Sequence, residues 1–131
     1  MRSALLGLAL GLAANPSMAA SLEELQGAWA STSSSCAEMF SRKGGKLSVN
    51  RDNMANIGFI VDGKRFEGPN ASCNVVSTKA SGATLTFALD CRTRIIFDTA
   101  IVSVRMLDAN RLVRFNPDFP ELDYHYQRCN P

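Results

Sequence analysis

Cys73-Asn-Val-Val-Ser-Thr-Lys-Ala-Ser-Gly-Ala-Thr-Leu-Thr-Phe-Ala-Leu-Asp-Cys91 reads as two β-rich arms around a Ser81-Gly82 turn. On the second arm Leu85, Phe87, Leu89 and Cys91 alternate with Thr84, Thr86, Ala88 and Asp90. That period of two marks a strand with one buried and one wetted face. Folding the arms about Gly82 sets Cys73 opposite Cys91, Val75 opposite Leu89 and Ser77 opposite Phe87, all on one face. The two thiols then close a cross-strand bridge, and Cys36 and Cys129 are left to join each other.

Outward from this hairpin the punctuation stays β-like. Asp62-Gly63 stands between Ile57-Gly-Phe-Ile-Val61 and Lys64-Arg-Phe-Glu67, a strong two-residue turn signal. Gly68-Pro69-Asn70 turns the chain into the Cys73–Cys91 hairpin. Downstream, a strand is expected over Thr99 to Met106, with Val102, Val104 and Met106 inward and Ser103 and Arg105 outward. Asp108-Ala-Asn110 turns into a strand over Arg111 to Phe115. Asn116-Pro-Asp-Phe-Pro120 reads as a stiff loop, and Leu122 to Cys129 as the last strand, with Leu122, Tyr124 and Tyr126 on one face. Upstream, Leu25 to Trp29 is a first strand led in by a helical turn at Ser21-Leu-Glu-Glu24. Ser35-Cys-Ala-Glu38 starts a helix expected to run about two turns to Arg42, stopped by Gly44-Gly45. Lys46 to Asn50 is a short strand and Arg51 to Asn56 a loop. Eight to nine short strands with one short helical insert predict a mainly β domain, either a small antiparallel barrel or a compact sandwich.

Residues 1–20 read as a secretory signal peptide, with basic Arg2, an apolar run from Ala4 to Ala14, the breaker Asn15-Pro16 and the small-residue site Ser17-Met-Ala-Ala20. The domain proper is then 21–131, about 110 residues, a size that forms one modest core and gains from staples. All four cysteines fall within it, an even number in an exported chain. With no Cys-x-x-Cys pair and only one histidine, two disulfides are expected rather than a metal site. Arg2 is the only charged residue in 1–20, so its removal lowers the formal net charge from +2 to +1. That balance gives no global attraction to nucleic acid, and no later stretch is apolar enough for a membrane anchor.

Leu25-x-Gly-x-Trp29 at the start of an antiparallel barrel resembles the opening of lipocalin-like (calycin) barrels. Together with a leader and a cysteine soon after the tryptophan (Cys36), it also resembles the periplasmic inhibitors of bacterial metalloproteases. The chain as a whole is similar to small four-cysteine bacterial export proteins of unassigned activity. The resemblance to the inhibitors implies a periplasmic protein whose amino-terminal residues, here Ser21 and Leu22, enter a protease cleft. The lipocalin-like resemblance implies a carrier.

Catalysis finds little to stand on. His125 is the sole histidine, and on its strand it falls opposite to Tyr124 and Tyr126, facing outward; no carboxylates are marked as an acid/base pair. Arg92, Arg94, Arg105, Arg111 and Arg114 crowd one part of the chain. They are candidate binding residues for an anion or acidic partner if they converge, and otherwise a solvated face with Asp90, Asp98 and Asp108 as counter-charges. Trp29 is the expected plug of one core end, and Phe119, between two prolines, the expected exposed contact. The remaining aromatics either fill the barrel or line a ligand cavity. The chain is thus expected to be a non-enzymatic secreted or periplasmic binding module without a cofactor. Its partner is expected to be an envelope protein, as for a hydrolase or protease inhibitor, or else a small apolar or anionic ligand.

Overall fold

A computed structural model describes residues 21–52 and 57–130, with Gly7 and Gly11. The expected signal peptide and residues 53–56 of the expected loop lie outside the described residues. Ten strands and one helical turn follow in order: β1 (Gly27–Ser31), α1 (Cys36–Met39), β2 (Phe40–Lys43), β3 (Lys46–Val49), β4 (Gly58–Asp62), β5 (Arg65–Glu67), β6 (Ser72–Ser81), β7 (Thr84–Arg92), β8 (Phe97–Asp108), β9 (Arg111–Asn116) and β10 (Phe119–Cys129). Eight of them close an antiparallel barrel in the order β1-β10-β9-β8-β7-β6-β5-β4, and β2 and β3 form a separate hairpin. Closure resolves the choice between barrel and sandwich. β1 makes it by pairing with β10 through Trp29↔Arg128 and with β4 through Trp29↔Phe59.

The central hairpin keeps its expected register at Cys73↔Cys91 and Val75↔Leu89. Beyond Val75 the register slips, so Ser77 faces Ala88 rather than Phe87, and Thr78 takes the place opposite Phe87. Val76 is the extra residue of this bulge and is exposed, a local irregularity that period-two counting cannot see. Leu85, Phe87 and Leu89 alternate inward as expected.

The helix is shorter than expected. Ser35 caps it, its Oγ accepting from the Glu38 N–H, but after Met39 the chain goes extended. Phe40–Lys43 pairs with Lys46–Val49 across Gly44-Gly45, both at positive φ. Two consecutive glycines satisfy a tight hairpin turn as readily as a helix stop, and the hairpin wins. This insert lies on the outside of the barrel. Met39, Phe40 and Val49 pack with Ala28, Ala30, Ile60 and Cys129 in a second core. Gly58 permits the approach, since a Cβ there would lie 2.7 Å from the Trp29 carbonyl oxygen and 3.1 Å from the Met39 side chain.

The lead segment and the last hairpin also differ from expectation. Leu25 precedes β1, within a run of turns closed by Glu24 N–H to Ser21 O and Leu25 N–H to Leu22 O. The segment read as a stiff loop narrows to a turn at Pro117-Asp118, and β10 opens at Phe119↔Asn116 before Pro120, Glu121 and Leu122 bulge out of register. Both disulfides form as paired in the sequence reading, Cys36–Cys129 and Cys73–Cys91. Such bridges belong to oxidising compartments. No described helix is long and apolar enough to cross a membrane.

Candidate functional site

The two ends of the barrel are built differently. Around the turns at 63–64, 82–83 and 109–110, the interior is filled by Leu25, Trp29, Leu85, Leu112 and Met106. Trp29 is fully buried and donates its indole N–H to the Leu25 carbonyl at 2.8 Å. Arg128, its partner on β10, lies over the indole at 4.3 Å. The guanidinium also donates to the carbonyls of Gln26 at 2.7 Å, Glu24 at 2.7 Å and Ala109 at 3.0 Å. Gln26 in turn bonds both backbone groups of Gly63. One cation therefore fastens the lead segment, the β8–β9 turn and the tryptophan together. Nothing in the sequence reading singled out Arg128. The signal was only its register, one residue before the last cysteine and across from the single tryptophan.

The opposite end is hollow. A cavity of about 380 Å³ occupies this half of the barrel and opens at its rim. Its wall carries Phe59, Phe66, Leu89, Val102, Val104 and Tyr126, completed by small residues at Gly58, Gly68, Ala71 and Ala100 and by the Cys73–Cys91 bridge. The physical cause is side-chain volume. Interior positions that hold tryptophan, leucine and methionine at the filled end hold alanine, glycine and cystine here, so the same barrel diameter leaves space. The aromatic set read as filling or lining is divided, with Phe97, Phe115 and Tyr124 doing neither: Phe97 and Tyr124 are exposed, and Phe115 lies under Arg105 on the outer face. Trp29 fills, whereas Phe59, Phe66 and Tyr126 line the cavity, with Phe59 stacked edge-on against Tyr126 at 5.1 Å.

Among the described residues Arg114 is the only charged one in the lining. It shares the inner face of β9 with Leu112, opposite Val104 on β8 and Tyr124 on β10. Its guanidinium lies 5.1 Å from the Tyr124 ring and 5.6 Å from that of Tyr126. No carboxylate pairs with it among the described residues. Burial raises the Tyr126 phenol above its ordinary value, and the nearby Arg114 charge partly opposes that shift.

The other candidate residues do not gather around Arg114. Arg111 lies near the filled end and bonds Asp108 at 2.7 Å, which lowers that carboxyl's pKa. Arg105 is exposed on the outer face, over the Phe115 ring at 6.0 Å. Arg92 ends β7 at the open end and stacks on Phe97 at 5.7 Å. Arg94 falls in the following turn, where the Thr93 hydroxyl accepts from the N–H groups of Ile95 and Ile96, so it does not continue the strand face of Arg92. The five arginines do not converge: one guanidinium turns inward, and four are dispersed over the exterior, the solvated-face alternative. Phe119 is 55% exposed at the start of β10. His125 lies outward, 3.6 Å from the Asp123 carboxylate. Among the described residues no cluster of three or more histidines, cysteines or carboxylates could hold a metal ion.

Neither a protein-family model, a curated protein nor a solved structure matches this chain.

Proposed function

We propose that the protein is an exported carrier that holds a small, largely apolar molecule bearing one anionic group in the open half of its barrel. The observation that carries this reading is the apolar cavity of about 380 Å³ with Arg114 as its single charged residue. The volume falls in the roughly 300–1,000 Å³ range of small-molecule sites, which are mostly apolar with a few polar groups that fix orientation. A guanidinium without a carboxylate partner, stacked on two phenol rings, is suited to receive a carboxylate or phosphate. The filled end supports the same reading, because it makes the barrel a cup rather than a tube. The lipocalin-like opening at Leu25-x-Gly-x-Trp29 agrees with this architecture. Export to the periplasm is supported by the leader-like residues 1–20 and by two disulfides. The reading is non-enzymatic and needs no cofactor.

A protein-binding role is favoured by a separate observation, the apolar rim of the open end, where Ile95, Ile96, Phe97 and Leu122 are each at least 60% exposed. Inhibition of a protease through the amino terminus draws no support from Leu22, which packs against the main core.

Calorimetric titration with a medium-chain fatty acid tests the carrier. Saturable binding is expected for the parent protein, with loss of that binding in Leu89→Trp, which places an indole in the cavity. Equal binding by the blocked variant would contradict the reading.

A further inference from the structure

The barrel wall is incomplete on one side of its open end. β8 has 12 residues and β9 only 6, so the last β8–β9 pair toward the rim is Ser103↔Phe115. From Phe97 to Val102 the strand remains paired with β7, from Arg92↔Phe97 to Phe87↔Val102, but has no strand partner on its other edge among the described residues. The Thr93 N–H to Ile96 carbonyl bond sets the alternation of the ladder. Even-numbered residues of β8 then turn their backbone groups toward β7, and Phe97, Thr99 and Ile101 turn theirs toward the vacant lane. The Thr99 N–H is met by its neighbour, the Asp98 carboxylate at 2.8 Å, in place of a ladder carbonyl.

Beside this edge lies a notch of about 490 Å³, with residues 99–102 on one side, Asn116, Asp118 and Tyr124 on the other, and Arg114 shared with the cavity. Phe97 is 66% and Ile101 50% exposed on the outer face of the same edge. Proteins usually cover or charge an exposed strand edge, because its unmet N–H and C=O groups recruit another chain. Here the lane beside the edge is left clear by the early turn of β9 at Pro117-Asp118.

We propose that an extended segment of a partner polypeptide adds to the free edge of β8, antiparallel to it, in the lane β9 vacates, and presents an acidic side chain to Arg114. Backbone bonds to Phe97, Ile101 and the Thr99 carbonyl supply affinity, and alternate side chains supply specificity. Inward side chains complete the cavity wall and meet Arg114; outward ones lie beside Phe97 and Ile101. A second intact barrel fits less well, because the matching stretch of its own β8 is backed by β7 from Phe97 to Val102 and a strand so backed cannot enter a notch one strand wide. The acidic residue follows from Arg114, the one guanidinium at the base of the notch with no carboxylate on it. This goes beyond the carrier reading and fails separately from it, since pairing to the β8 edge is read by N-methylation of the peptide and by edge-amide exchange, neither of which the fatty-acid titration touches.

The probe is a fluorescein-labelled heptapeptide of alternating valine and threonine with a central glutamate, followed by fluorescence polarisation with amide hydrogen exchange. Saturable binding is expected, weakened about tenfold or more by N-methylation of alternate peptide nitrogens and by exchange of the glutamate for lysine. The Phe97 and Ile101 amides should exchange freely in the protein alone and become protected with the peptide. Absence of saturable binding, or equal binding of the N-methylated peptide, would overturn the proposal. So would slow exchange of these two amides in the free protein together with a dimer in sedimentation, which would give the edge to a second copy of this chain.

Discussion

The filled and hollow ends of this barrel use the same strands for opposite purposes. At the filled end Trp29 is fully buried, and Arg128 spends its hydrogen-bond donors on three backbone carbonyls while lying over the indole. At the hollow end Arg114 also lies over aromatic rings, but no carboxylate among the described residues meets its guanidinium. Two arginines on neighbouring strands thus differ in what surrounds the charge. The satisfied one fastens the fold, and the other is where the proposed ligand or partner would supply the acceptor that no described carboxylate provides. A guanidinium is informative when its acceptors are missing, more than when it merely lies near others like it.

The comparison predicts unequal costs of mutation. Trp29→Ala should be the most damaging change, about 3–5 kcal/mol as for a large buried aromatic, seen as a sharp fall in the melting temperature. Near-parent stability would mean that the filled end is not where the core is anchored. Arg128→Met keeps much of the stem's packing but leaves the Glu24 and Gln26 carbonyls unmet. A loss of about 2–3 kcal/mol is expected in urea unfolding, with faster amide exchange in residues 21–26.

The pH dependence tests the hollow side. The raised pKa of Tyr126 favours its neutral form in the folded state. Its contribution to stability is therefore complete below the ordinary tyrosine value of 10.0 and is lost as pH rises from there through the folded value. In alkaline unfolding, Tyr126→Phe should lose that share of the decline. An unchanged profile would show that the phenol is not buried. The smallest effect on stability is expected for Arg114→Met, within roughly 0.5 kcal/mol as for a residue without a polar partner, whereas affinity for a carboxylate ligand should fall about tenfold or more.

Much of the fold was legible because it is written in local periodicity. The alternation from Leu85 to Cys91 and the Cys73↔Cys91 register rest on neighbours in sequence, and the structure has them; the hairpin signalled by Asp62-Gly63 also forms, one residue on, with Asp62 paired to Arg65 around Gly63-Lys64. The departures are places where tertiary context decides. Phe40–Lys43 left the helix because Gly44-Gly45 and the outer face of β1 offered it a hairpin and a core. Ser77 moved out of register because of a single-residue bulge. The candidate site was less legible. Arg114 was in view only as one of five arginines, since inward and outward positions on β9 differ by a single step of register. The cavity itself depends on which small residues face one another across strands far apart in sequence. Gly68, Ala71 and Ala100 are unremarkable singly and leave a space only when the barrel closes around them.

The central claim is that ligand enters the hollow half and leaves the filled half untouched. Methyl-labelled NMR with a medium-chain fatty acid tests it most directly, because the core methyls report position along the barrel. Intermolecular contacts are predicted at Leu89, Val102 and Val104, with the Leu25, Leu85 and Leu112 methyls unshifted and the Arg114 side-chain resonances moved. Contacts distributed over both sets of methyls, or confined to the outer surface, would contradict the account.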